Sequence, residues 1–217
     1  MIASNELVMM LDDEFFSATP ESLACVEKLR VTSDYISDDI NLELFKQQIV
    51  FCSKLKKLDF NGFLSENISN PNSELFLKVM VSIQEVIPII EELDLSENML
   101  HEHEEKFLMV LSNVLASWSN LRNLNLSANS LLTIVECKCE TEPQKILKSK
   151  AVFNILRNCP KLVELDLSQE LIVGRIPACE WIDKDIIAIL QEISLLCPNL
   201  QTLAIRNCPF KYLRVTL

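Results

Sequence analysis

Apolar residues recur in one short pattern along this chain. In the segments that begin at Ile90 and Leu121, apolar side chains occupy positions one, four, six and eleven, and Asn98 or Asn129 occupies position nine. The central apolar-polar-apolar triplet predicts a short, half-buried strand, because side chains alternate between the two faces of a strand. The asparagine can hydrogen-bond backbone groups of the turn that follows, so one per coil would stack into a ladder.

Four less regular copies follow the same frame. The copy at Leu162 departs from it only at Glu170, which takes the place of the asparagine. Weaker copies begin at Val26, Leu55 and Leu200, and successive starts are 29 to 41 residues apart. Such periods leave room for a helix after each strand.

The intervening segments predict five helices, because their apolar residues fall at helical spacing. A further helix is predicted from Ser4 or Asn5 through about Phe16, as a lid over the first coil. Strand followed by helix, repeated, requires parallel strands and right-handed crossovers. The apolar residues that define the five helices are Leu42, Phe45, Ile49 and Cys52; Leu75, Val79, Ile83 and Val86; Phe107, Val110, Leu111, Val114 and Leu115; Val152, Ile155, Leu156 and Cys159; and Ile186, Ile189, Leu190, Ile193 and Cys197.

The repeated L-x-x-L-x-L-x-x-N-x-L pattern resembles the leucine-rich-repeat family over nearly the whole chain. The resemblance implies an α/β fold: a right-handed solenoid of about six repeats, with a curved parallel sheet on the concave side and helices on the convex side. The long repeats are most similar to the ribonuclease-inhibitor-like and cysteine-containing subclasses, the latter through Cys-Pro-Lys-Leu at 159–162 and Cys-Pro-Asn-Leu at 197–200. We predict a helical cap at residues 1–22 and a repeat domain at residues 23–217.

Composition narrows the function classes. The 217 residues are 49% hydrophobic and 24% charged, which is typical of a folded domain. The net charge of −11 argues against nucleic acid or an anionic membrane as the main partner. The N-terminus lacks the basic segment of a signal peptide, and no apolar run is long enough to span a bilayer. We therefore expect a cytoplasmic protein whose eight cysteines are reduced thiols.

The polar strand positions predict a partner-binding face. Residues three and five of each repeat point away from the core, and together they form a face that is basic in the first repeats and acidic in the middle ones. Acidic side chains in register would steer a partly basic protein onto this face, although an ordinary solvated surface stays an alternative. The candidate partner-binding residues are Asp59, Glu92, Asp94, Glu97, Asn123, Asn125, Glu164 and Asp166.

Cysteine and histidine offer little chemistry. The residues that lie three positions before each repeat start form a row that is apolar throughout, so the cysteines in this row are predicted to be buried in the core. The two histidines, His101 and His103, and the pair Cys137 and Cys139 suggest a metal site on one edge, but their single-residue spacing is tighter than structural zinc sites use. We expect no catalytic residues and no cofactor. The apolar row is Leu23, Cys52, Ile87, Trp118, Cys159 and Cys197.

The sequence is therefore compatible with three functions. The first is a non-catalytic protein-interaction module, acting as an adaptor, an inhibitor or a secreted effector in a host cytosol. The second is a metal-binding or enzymatic protein centred on the histidine and cysteine pairs. The third is an architectural segment of a homo-oligomer, joined through its C-terminal edge. We expect a monomer in which the strand-like residues 212–217 either close that edge thinly or are covered by a partner.

Overall fold

The strands form a single sheet in chain order. The computed structural model describes residues 8–10, 12–33, 39–64, 72–100, 103–131, 152–169, 181–205 and 213–216. Strands β1 to β7 are parallel neighbours, and β8 runs antiparallel to β7. They span Val8–Met10 (β1), Lys28–Arg30 (β2), Lys57–Asp59 (β3), Glu92–Asp94 (β4), Asn123–Asn125 (β5), Glu164–Asp166 (β6), Thr202–Ile205 (β7) and Leu213–Thr216 (β8).

Helices separate strands β1 to β7 along the chain, and the five predicted by apolar spacing are confirmed. None of the helices in the described ranges is long and apolar enough to cross a membrane. The helices span Asp13–Ser17 (α1), Pro20–Leu23 (α2), Asp39–Ile49 (α3), Asn72–Val86 (α4), Glu105–Ser117 (α5), residues 152–157 (α6) and Trp181–Leu196 (α7).

The strand register matches the predicted repeat frame from β2 to β7. The third positions pair across neighbouring strands, and so do the fourth and fifth positions. The fourth-position residues face the core and are at most 2% exposed, which leaves the third and fifth positions on the opposite, concave face. These core residues are Leu29, Leu58, Leu93, Leu124, Leu165 and Leu203.

The apolar row before each repeat start is buried, as predicted. Its three cysteines pack in the same core as Trp118. Burial raises the pKa of the Cys52 and Cys159 thiols to about 12 and that of Cys197 to about 11. These thiols are therefore protonated near neutral pH and act as small apolar side chains.

Two buried asparagines form the predicted ladder. Nδ2 of Asn98 donates to the carbonyl oxygens of Phe60 at 2.8 Å and Leu95 at 2.9 Å, while its Oδ1 accepts the Leu64 N–H at 2.8 Å. Asn129 repeats the arrangement one coil later and accepts the N–H of Asn98 itself at 3.0 Å. Each amide thus joins its own turn to the preceding coil.

The N-terminal helix prediction is wrong at Val8–Met10, which form strand β1. Only Met9 packs against the core, while Val8 and Met10 are 52% and 46% exposed. The strand pairs with β2 and supplies hydrogen-bond partners to an edge that would otherwise be open. The division of the chain at residue 22 stays a prediction.

The helical lid is shorter than predicted and begins after β1. Asp12 caps α1 by accepting the N–H groups of Glu14 at 2.9 Å and Phe15 at 3.2 Å. Phe15 is fully buried and stacks on Phe45 of α3 with ring centroids 5.9 Å apart. One aromatic side chain of α1 therefore covers the core of the first coil.

At the other end, the strand-like tail is confirmed as β8, but its direction was not foreseen. Thr202 pairs with Thr216 and Ile205 with Leu213 in antiparallel register. The final strand therefore pairs with the edge of β7 that lies opposite β6.

Candidate functional site: the concave face

The concave face of the sheet forms a shallow groove of about 300 Å³. It crosses every strand from β2 to β7, and seven of the eight candidate residues line it. Glu97 does not line the groove, because it lies in the turn beyond β4 with a positive φ of 61°. The lining candidates are Asp59, Glu92, Asp94, Asn123, Asn125, Glu164 and Asp166.

The fifth-position side chains also hold the turns that follow their strands. In each of four consecutive repeats, Oδ1 accepts the backbone N–H two residues later, at 2.8 to 3.1 Å. This is the Asx-turn geometry that favours Asp and Asn after a strand. The recurrence of Asp or Asn at this position is the sequence signal for the turn, so these residues have a structural role besides the predicted binding role. The four residues are Asp59, Asp94, Asn125 and Asp166.

Ion pairs neutralise one acidic residue on β3 and one on β4. Nζ of Lys28 lies 3.3 Å from Oδ2 of Asp59, and Nζ of Lys57 lies 3.1 Å from Oε1 of Glu92. Asp59 is only 8% exposed, so little of its carboxylate is left for another molecule. The predicted acidic character is therefore largely cancelled here by the lysines of β2 and β3.

Asp94 is also engaged within the face. Its Oδ1 accepts the N–H and the hydroxyl of Ser96, and its Oδ2 accepts Nδ2 of Asn125 at 3.0 Å. Asn61 extends this network by donating to the Ser96 hydroxyl at 2.8 Å. The middle of the groove is consequently a set of hydrogen-bonded polar groups with few free acceptors.

The acidic groups on β6 differ from those on β3 and β4. Within the described part of the chain, neither Glu164 nor Asp166 has a cationic partner, and Glu164 is exposed. Oδ1 of Asp166 accepts the Ser168 N–H at 2.8 Å, which leaves Oδ2 without a described partner. Glu164 thus places on β6 an exposed carboxylate that no described cation neutralises.

The comparisons with known proteins concern the fold. No family model matches the sequence, and no curated protein shows significant similarity to it. The structure is similar to that of LegL7, a leucine-rich-repeat-containing protein from Legionella pneumophila, with a TM-score of 0.51 and 17% sequence identity. The similarity covers 96% of this chain and 67% of LegL7. The chain has a leucine-rich-repeat fold.

The candidate metal ligands are mostly outside the described part of this leucine-rich-repeat structure. His101, Cys137 and Cys139 belong to undescribed residues, so the metal hypothesis stays a prediction. His103 is described, and its ring stacks on Phe107 with centroids 4.4 Å apart. Among the described residues, no group of three or more His, Cys, Asp or Glu side chains could hold a metal ion.

Proposed function

We propose that this leucine-rich-repeat chain is a non-catalytic, cytoplasmic module that binds a partner protein on the concave face of its sheet. One observation supports the proposal above all: the third and fifth residues of six consecutive strands pair in register, and all of them except Arg30 line one groove. A solenoid surface of this kind is extended and concave, and it can follow a protein segment over several repeats. An adaptor, an inhibitor and an effector would each use such a surface.

The partner is proposed to present a basic group to β6. Glu164 and Asp166 have no described cationic partner, whereas Asp59 and Glu92 are paired with lysines and both oxygens of Asp94 accept hydrogen bonds within the face. A lysine or arginine of the partner would meet these two side chains without breaking an internal ion pair. Charge of this kind contributes more to association rate and selectivity than to affinity.

The open form of the groove supports the proposal that the chain is not an enzyme. The groove is lined by polar side chains along a sheet surface, and catalysis generally uses a concave site that excludes water. The raised pKa of the buried thiols also makes Cys52, Cys159 and Cys197 poor nucleophiles. We further propose that the chain is related to the long-repeat subclasses, because its repeats accommodate helices of up to 16 residues.

The test is a comparison of captured partners between the native chain and the double variant Glu164→Gln, Asp166→Asn. The asparagine preserves the turn, since Asn125 accepts the Ser127 N–H at 3.0 Å in the equivalent position. A matched control removes two exposed carboxylates outside the groove, with Glu85→Gln and Glu105→Gln. We expect the groove variant to lose partners that the control retains. Identical partner lists for all three proteins would refute binding through β6.

A further inference from the structure

The two ends of the concave face carry different unsatisfied groups. At the N-terminal end, Arg30 is exposed and has no carboxylate partner among the described residues. At the C-terminal end, Glu164 and Asp166 are the corresponding unpaired anions. Between them, Lys28 pairs with Asp59 and Lys57 with Glu92, while Asp94 is hydrogen-bonded to Ser96 and Asn125. The concave face therefore has an unpaired positive charge at its N-terminal end and unpaired negative charges at its C-terminal end, although its net charge is acidic.

An apolar patch adjoins the free arginine. Val8 and Met10 of β1 pair in register with Lys28 and Arg30, and about half of each apolar side chain is exposed. Apolar residues of this size contribute binding energy when a partner removes them from water. No equivalent exposed apolar residue occurs at the described third and fifth positions of β2 to β7. The apolar contact is thus specific to the end that bears the free positive charge.

We propose that the concave face binds a dipolar protein segment, with an acidic and an apolar residue at one end and a basic residue at the other. This inference rests on the proposed function and specifies its partner. The acidic residue meets Arg30, its apolar neighbour covers Val8 and Met10, and the basic residue meets Glu164 and Asp166. Uniformly basic segments are excluded, because they place positive charge against Arg30.

The sheet sets the spacing between the two ends of the segment. Arg30 and Asp166 lie on β2 and β6, which are four strand intervals apart, or about 19 Å at the usual strand separation of about 4.8 Å. An extended chain advances about 3.3 Å per residue, so about six residues connect its acidic and basic groups. The segment crosses the strands, and its polar middle residues face the amides of Asn123 and Asn125.

Synthetic peptides with neutral ends test this assignment by fluorescence anisotropy at low ionic strength. The dipolar peptide contains Leu-Asp, five serines and Arg-Arg, and it is made in both chain directions. A basic peptide has serines in place of Leu-Asp. A compact isomer has the dipolar composition but places Leu-Asp directly beside Arg-Arg. We expect the better dipolar peptide to bind about tenfold more tightly than either control, from one added ion pair and the covered apolar area.

Two variants of the protein locate the contacts. Arg30→Gln should weaken binding of the dipolar peptide severalfold and leave the basic peptide unaffected, whereas Arg157→Gln on helix α6 should change neither. Glu164→Gln with Asp166→Asn should weaken both peptides. Equal binding of the basic and dipolar peptides, no binding of the dipolar peptide, or an Arg30→Gln variant with native affinity would overturn the inference. The proposed function fails by a different result, namely unchanged partner capture after the β6 carboxylates are removed.

Discussion

The substitution Asn129→Asp tests the role of the buried asparagines without changing the shape of the side chain. Nδ2 of Asn129 donates to the carbonyl oxygens of Leu95 at 2.8 Å and Leu126 at 2.9 Å. Its Oδ1 accepts the N–H groups of Asn98 at 3.0 Å and Leu100 at 3.3 Å. An aspartate keeps the acceptor but replaces the donor with an oxygen that faces two carbonyl oxygens.

The cost follows from the groups that lose their partner. The Leu126 carbonyl loses this donor at a cost of about 1–3 kcal/mol, the Leu95 carbonyl keeps the Asn98 amide, and a buried carboxylate adds an electrostatic penalty. We expect the free energy of unfolding at pH 7 to fall by at least about 3 kcal/mol, a large share of the 5–15 kcal/mol typical of a domain. Urea denaturation measures the change. The control Asn120→Asp makes the same chemical change at an exposed turn residue and should alter stability by less than about 0.5 kcal/mol.

The pH dependence of Asn129→Asp provides a second check. Burial and the facing carbonyls raise the folded-state pKa of the new carboxyl group above its unfolded value of about 3.9. The unfolded chain therefore releases the proton first, and the destabilisation grows as the pH rises from about 4 toward neutrality. A loss below about 1 kcal/mol at pH 7, or a loss that does not depend on pH, would refute the account of the ladder.

Three further predictions concern the turns and the thiols. The eighth residue of the repeat has a positive φ, at 69° in Gly62 and 59° in Ala128. Ala128→Gly should therefore raise the free energy of unfolding by about 1 kcal/mol, and Gly62→Ala should lower it by a similar amount. Urea denaturation measures both changes, and opposite signs would contradict this account. A thiol reagent at pH 8 should label exposed Cys25 in the folded protein but buried Cys159 only after unfolding. Peptide mapping identifies the labelled residues, and rapid labelling of Cys159 in the folded protein would contradict its burial. Because the folded pKa of Cys159 is about 12, this thiol should lower stability by up to about 1.4 kcal/mol per pH unit above about 8.5, and Cys52 and Cys197 add to the slope. Cys159→Ala should reduce the slope, and equal slopes would contradict the raised pKa.

The fold could be predicted from the repeat because its two perfect copies fix the frame at every position. Once Leu93 and Leu124 are aligned, the weaker copies inherit the same register, and the pairing of β2 to β7 follows it without a slip. A one-residue error would have moved every leucine to the concave face. The buried row before each repeat start followed from the same alignment, including three of the cysteines.

The first strand could not be predicted in this way. Val8, Met9, Met10 and the following leucine are all apolar, so neither a two-residue nor a helical period distinguishes them. Their conformation is decided by the open edge of β2, which is a tertiary effect. The same limit applies to β8, whose strand character is visible in the sequence but whose direction depends on the chain between Ile205 and Leu213.

The ion pairs of the face could not be predicted, because a row of residues shows which side chains share a face and not which of them pair. Lys28 contacts Asp59 diagonally across neighbouring strands, and Lys57 contacts Glu92 directly opposite. Long lysine side chains can reach either position, so the sequence leaves the pairing open. The candidate acids on β3, β4 and β6 could therefore not be ranked from the sequence, whereas the structure pairs Asp59 and Glu92 with lysines and gives Glu164 and Asp166 no described cation.

The fifth-position acids have two roles, and this determines how the site must be tested. Reversing Asp166 to lysine would remove the charge and also the acceptor for the Ser168 N–H, so a lost partner could reflect a disturbed turn. Asparagine separates the two roles, because Asn125 already holds its own turn without a charge. If Asp166→Asn alone abolishes partner capture while stability is unchanged, the negative charge of this residue acts in recognition. If capture persists, the aspartate serves the turn, and recognition through β6 rests on Glu164.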